Sequence, residues 1–71
     1  MKVATIIGLG NIGYRHFQGI SKLKNKIYLI DPFIKKKNLK KFLINENIHY
    51  VKEYSKLPKK IDLAIISCSA D

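Results

Sequence analysis

The sequence predicts an α/β domain with a parallel sheet, built as the first half of a doubly wound fold in the order β-α-β-α-β-α-β. Short apolar runs rich in β-branched residues alternate with segments of helical period. A glycine-rich turn follows the first run, and an Asp-Pro pair closes the second. Strands that alternate with helices imply right-handed crossovers. We therefore expect the spatial strand order 3-2-1-4.

The first strand is predicted over residues 3–7, a near-continuous apolar run that ends at Gly8. Such a run is typical of a strand buried on both faces of a parallel sheet. An amphipathic helix is predicted over residues 11–24, because its apolar residues recur at three- and four-residue spacing. The inward positions are Gly13, Phe17 and Ile20, with Leu23 or Lys24 beyond them.

The second strand is predicted over residues 26–30 and closes at Asp31-Pro32. Proline cannot extend a central strand and disfavours helix in the residue before it, so Asp31 is expected at the strand's end. A second helix is predicted over residues 35–46, with lysines outward and three apolar residues inward. These inward residues are Leu39, Phe42 and Leu43.

The remaining chain predicts a third strand over 48–51, a short helical turn over 54–57 that Pro58 stops, and a fourth strand over 61–68. No repeat or linker divides residues 1–71, so we expect one domain. The strongly apolar fourth strand would form an exposed edge, and exposed edges recruit further strands. The sequence therefore predicts a partial domain that is truncated after Asp71.

The composition favours a reducing, cytoplasmic setting. One cysteine excludes an internal disulfide, and the two histidines are not spaced with it as zinc ligands. Neither a signal peptide nor a membrane-spanning run is visible in the sequence. The net charge of +9 is typical of proteins that bind nucleic acid, so nucleic acid is one candidate partner. Because thirteen of the fourteen cations are scattered lysines, we favour a solvated basic surface over nucleic-acid binding.

The chemistry-bearing motif is Gly8-Leu9-Gly10-Asn11-Ile12-Gly13, a G-x-G-x-x-G sequence between a strand and a helix. Gly8 permits the tight turn, Gly10 lets a pyrophosphate approach the backbone, and Gly13 allows close packing of helix on strand. The N–H groups near Asn11 and Ile12 would point at the phosphates, where the helix dipole favours negative charge. The motif predicts a dinucleotide-binding site. The alternative is a loop in which the glycines serve only to make the turn.

Asp31 lies eighteen residues past Gly13, near the offset at which dinucleotide-binding domains carry an acid that accepts the ribose hydroxyls. A carboxylate there repels a ribose 2′-phosphate, so the sequence favours NAD. The lysines at 35–37 could compensate for that charge and leave NADP open. The simpler alternative for Asp31 is a strand-end turn with Pro32.

The stretch from Gly8 to His16, in which Arg15-His16 follows the glycine motif, resembles the N-terminal signature of the glucose–fructose oxidoreductase / inositol dehydrogenase family (Gfo/Idh/MocA). The resemblance extends over the whole chain and includes Asp31 and the fourth strand. Members of that family transfer hydride between NAD(P) and a sugar, a cyclitol or a related small molecule. The resemblance thus implies that residues 1–71 are a partial NAD(P)-binding Rossmann domain, the N-terminal segment of an oxidoreductase, with the substrate domain absent.

The resemblance also implies cofactor contacts from the loop after the fourth strand, at Ser67, Cys68 and Ser69. The family's catalytic lysine and histidine would lie beyond Asp71, and no residue of this chain matches them. We therefore expect cofactor-binding residues and no catalytic ones, and for His16 a structural role. The alternatives are a non-catalytic remnant without turnover and a small basic nucleic-acid binder.

Overall fold

The apolar runs pair as a parallel sheet in a computed structural model, which describes residues 2–23 and 25–67. The sheet has four parallel strands in the order β3-β2-β1-β4. The α/β class and the predicted order 3-2-1-4 are therefore confirmed. The elements are β1 Lys2–Ile7, α1 Asn11–Ser21, β2 Asn25–Ile30, α2 Lys36–Leu39, β3 Ile48–Val51, η1 Tyr54–Lys56 (a turn of 3₁₀ helix) and β4 Leu63–Ile66.

The strands end level with one another, which brings the segments that follow them to one edge of the sheet. Ile7 at the end of β1 pairs with Ile30 of β2 on one side and with Ile66 of β4 on the other. Val51 of β3 pairs in turn with Ile30. The residues after β1, β2 and β4 therefore meet at the carboxyl edge, where open α/β sheets bind their ligands.

The core lies between one face of the sheet and α1. Phe17 of α1 and Phe42 are fully buried, and their rings meet edge to face with centroids 5.1 Å apart. Tyr14 completes this aromatic group at 5.1 Å from Phe42. The strands contribute buried aliphatic side chains to the same cluster, namely Ile6, Ile27, Leu29 and Ile48. Burial of both faces of β1 is confirmed, since Thr5, which alternates with Ile6, is also buried.

The second helix is much shorter than predicted. It covers Lys36–Leu39, and tight turns follow it instead of the helix expected to residue 46. Lysines at 36 and 40 and at 37 and 41 form like-charge pairs at helical spacing, and no acid stabilises the first turn. Phe42 donates its N–H to the Leu39 carbonyl at 2.9 Å, three residues back. This tightening keeps Phe42 buried but leaves Leu43 47% exposed, so the predicted inward position of Leu43 was wrong.

Helix α1 and strand β4 are also shorter than predicted. Helix α1 ends at Ser21, and Leu23 beyond it is 65% exposed, so Leu23 is not an inward position. Strand β4 covers Leu63–Ile66 rather than 61–68, and Ile66 on this edge strand is 74% exposed. None of the helices in the described part of the chain is long and apolar enough to cross a membrane.

Candidate functional site

A crevice of about 790 Å³ opens at the carboxyl edge of the sheet; we call it the Asp31 crevice. It lies where the chain leaves β1, β2 and β4, and its size is within the roughly 300–1,000 Å³ typical of small-molecule sites. Six of the predicted cofactor-binding residues line it, namely Gly8, Gly10, Asn11, Ile12, Asp31 and Ser67. The other lining residues are Ile7, Leu9, Ile30, Pro32, Phe33 and Tyr54.

The glycine motif makes the turn from β1 into α1. Gly8 has a φ of 92°, a left-handed conformation that favours glycine, and donates its N–H to the Ile30 carbonyl at 3.0 Å. The first helical hydrogen bond runs from the Tyr14 N–H to the Gly10 carbonyl at 2.9 Å. Among the described residues, no group accepts a hydrogen bond from the amides of Asn11 and Ile12. These two donors face an opening at the positive end of a helix, as an anion site requires.

Gly10 is the open position of the turn. Among the described residues, no atom would lie within 4 Å of a Cβ atom added at Gly10, and the backbone there is extended, with a φ of −73°. The described residues therefore leave space for a ligand to approach the backbone at Gly10. This is the role that the motif predicts for its second glycine.

At Gly13 the backbone of α1 packs directly against the glycine turn, with no space for a side chain. A Cβ atom there would overlap the Gly8 carbonyl oxygen and lie 2.9 Å from the Ser67 hydroxyl oxygen. That hydroxyl donates a hydrogen bond to the same Gly8 carbonyl at 2.6 Å, while the Ser67 N–H donates to the Ile7 carbonyl at 2.8 Å. Ser67 thus lines the crevice, and its side chain connects the end of β4 to the glycine turn.

The Asp31 carboxylate faces the same turn. Its Oδ2 accepts the Leu9 N–H at 2.8 Å, and its Oδ1 accepts the Phe33 N–H at 2.9 Å. The Tyr50 hydroxyl donates to the Asp31 carbonyl at 2.9 Å. The strand-end turn that the sequence offered as an alternative is therefore present, and it coexists with a half-buried carboxylate on the crevice wall. Since an ionised carboxylate can accept about four hydrogen bonds, the described residues leave about two of its acceptor positions unused.

A second cavity, of about 460 Å³, adjoins the first and shares Leu9, Gly10, Asn11, Asp31 and Phe33 with it. Its remaining walls come from the α2 region: Ile34, Lys35, Lys37, Asn38 and Lys41. We call this cavity the lysine pocket. The Lys41 ammonium lies 4.3 Å from the centroid of the Tyr14 ring, so a cation–π contact holds it at the rim.

Several sequence-derived candidates fall outside this arrangement. Cys68 and Ser69 lie outside the described residues. His16 and Arg15 are exposed on α1 and do not line the crevice, and the structural role expected for His16 stays a prediction. In the described part of the chain, no three His, Cys, Asp or Glu residues are grouped to hold a metal ion.

Of the six lining residues that the sequence analysis did not predict, two are aromatic, Phe33 and Tyr54. Phe33 could have been suspected, because it follows Asp31-Pro32 directly and an aromatic side chain next to a strand-end turn has little to pack against. Tyr54 gives no such signal, since only the path of the chain after β3 brings it to this crevice.

The chain was compared with protein-family models, curated proteins and solved structures. No significant match was found in any of the three comparisons.

Proposed function

We propose that this chain is an NAD(P)-binding, Rossmann-type domain that holds its cofactor in the Asp31 crevice. The observation that carries the proposal is the position of the glycine motif between the central strand β1 and helix α1, with Asp31 hydrogen-bonded to that same turn. A glycine loop with no ligand would explain the turn at Gly8. It would not explain why the Asp31 carboxylate lies on the wall of the same crevice as Gly10 and Asn11.

The residues present fit a dinucleotide. The amides of Asn11 and Ile12 offer two donors to a pyrophosphate, and no side chain at Gly10 blocks its approach. The free acceptor positions of Asp31 suit the two hydroxyls of a ribose. An unphosphorylated ribose avoids repulsion with this carboxylate, so we propose NAD as the preferred cofactor, while the lysine pocket leaves NADP as a weaker ligand.

The resemblance to the glucose–fructose oxidoreductase / inositol dehydrogenase family supports a role in hydride transfer to or from a sugar- or cyclitol-like substrate. The cofactor, when bound, supplies or accepts the hydride. Among the described residues, neither histidine nor lysine lines the Asp31 crevice. We therefore assign these residues to binding and orienting the cofactor, and none of them to proton transfer.

Isothermal titration calorimetry of the chain with NAD tests the proposal through Gly10→Val. The substitution places a side chain in the space above Gly10 without straining the backbone, so the fold should persist while the pyrophosphate is blocked. Loss of its charge-assisted hydrogen bonds should weaken NAD binding about tenfold or more.

The matched control is Gly19→Val, because a Cβ at Gly19 also meets no atom within 4 Å but Gly19 lies away from the crevice, on the exposed part of α1. This variant should bind NAD as the wild-type chain does. Undiminished affinity in Gly10→Val, with far-UV circular dichroism showing an intact fold, would refute the proposed function.

A further inference from the structure

Several exposed apolar side chains line the Asp31 crevice. In the described part of the chain, Phe33 is 91% exposed, Tyr54 63% and Ile12 62%, and all three line this crevice. Single exposed apolar side chains are common on protein surfaces and need no explanation. Three that converge on one opening, beside a carboxylate and two unpartnered amides, indicate a ligand with both an apolar and a polar part.

The two aromatic rings reach the crevice on separate segments. Phe33 belongs to the connection after β2, where its N–H is fixed by the Asp31 carboxylate at 2.9 Å. Tyr54 begins η1 in the connection after β3, the strand next to β2 in the sheet. Neighbouring strands thus each deliver one aromatic side chain to the same opening.

We propose that Phe33 and Tyr54 form the binding site for the adenine ring of the cofactor, each stacking on the base. This inference rests on the proposed function, in which Asp31 accepts the hydroxyls of the adenosine ribose. The base attached to that ribose must lie close to Asp31, and Phe33 donates its backbone N–H to the Asp31 carboxylate. Flat heterocycles stack well on aromatic side chains, and each stacked base typically contributes enough to change affinity by an order of magnitude or more.

A nucleotide fits this opening better than an apolar peptide does. The rings share the crevice with the Asp31 carboxylate and the amides of Asn11 and Ile12. A buried peptide side chain would leave these polar groups without partners, which is costly. A nucleotide supplies hydroxyls to the carboxylate and phosphates to the amides.

The experiment compares three ligands with four chains by calorimetry. The ligands are NAD, ADP-ribose and nicotinamide mononucleotide, of which the last has no adenine. The chains are the wild type, Phe33→Ala, Tyr54→Ala and the control Leu23→Ala, which removes a side chain that is 65% exposed and away from the crevice. Because both aromatic rings are largely exposed, each variant should keep its fold.

We expect about a tenfold loss of affinity for NAD and ADP-ribose in Phe33→Ala and in Tyr54→Ala, and no loss in Leu23→Ala. Binding of nicotinamide mononucleotide should be the same in all four chains. Nuclear Overhauser effects between the adenine protons and the ring protons of Phe33 and Tyr54 should appear in the wild-type complex.

The outcomes separate this inference from the proposed function. If the wild-type chain binds NAD and both aromatic variants bind it equally well, the adenine site is overturned and the proposed function stands. A loss in only one aromatic variant overturns the two-ring arrangement. A wild-type chain that binds neither NAD nor ADP-ribose overturns both.

Discussion

The carboxylate of Asp31 accepts the Leu9 N–H at 2.8 Å and the Phe33 N–H at 2.9 Å, and it also forms part of the crevice wall. The side chain that we expect to bind ribose therefore also fixes the glycine turn. Removing it would disturb the turn and the ligand contacts together, and the two effects could not be told apart. A side chain added at Gly10 would meet no described atom within 4 Å, which makes Gly10 the cleaner position for testing ligand binding.

Gly13 is the position at which the turn should tolerate least change. In Gly13→Ala the methyl group would overlap the Gly8 carbonyl oxygen, which the Ser67 hydroxyl already holds at 2.6 Å. Helix and strand must then separate, and we expect the free energy of unfolding to fall by about 1–3 kcal/mol. Urea unfolding followed by far-UV circular dichroism measures this.

Gly19→Ala is the control for that experiment, since it adds the same methyl group to the same helix in open space. Alanine is a better helix former than glycine, so this variant should gain roughly 0.5–1 kcal/mol. Equal and small effects at both glycines would show that the close approach at Gly13 is not required.

The strands and the glycine turn were predictable from the sequence because their signals are local. The apolar run 3–7 and the conformational demand at Gly8 depend on a few adjacent residues. The extent of α2 was not predictable from apolar spacing, because it also depends on repulsion between neighbouring lysines. The lysine pocket and the place of Tyr54 depend on how separate segments meet, for which the sequence holds no local signal.

Comparing the stability effects of substitutions at Phe42 and Leu43 tests whether α2 ends at Leu39. A helix over 35–46 would direct both side chains to the core, whereas the observed turns bury Phe42 fully and leave Leu43 47% exposed. Phe42→Ala should cost about 3–5 kcal/mol and remove most of the cooperative thermal transition. Leu43→Ala should stay within about 0.5 kcal/mol of the wild type. A comparable loss of stability in both variants would instead support the longer helix.

The charge of the whole molecule acts on any anionic ligand, wherever its lysines lie. Fourteen cations against five anions attract a phosphorylated ligand over long range. Three of the lysines, Lys35, Lys37 and Lys41, line the lysine pocket next to Asp31. Attraction by the overall positive charge and direct contact with the pocket lysines therefore predict different NADP affinities when two lysines are replaced.

We expect the local contact to dominate for NADP. The double variant Lys35→Gln/Lys37→Gln and the control Lys59→Gln/Lys60→Gln each remove two positive charges from a net charge of +9, but Lys59 and Lys60 line neither cavity. At 0.1 M salt the first pair should weaken NADP binding about tenfold, with each lysine contributing on the order of 0.5–1 kcal/mol, and change NAD binding by about twofold or less. The control pair should leave the ratio of the NADP affinity to the NAD affinity unchanged.

Raising the salt to 1 M shortens the screening length from about 10 to about 3 Å, so the loss of NADP affinity in the first pair should shrink. Calorimetry that shows equal NADP losses for the two pairs would assign the attraction to the field of the whole molecule, and the lysine pocket would then have no part in distinguishing the two cofactors.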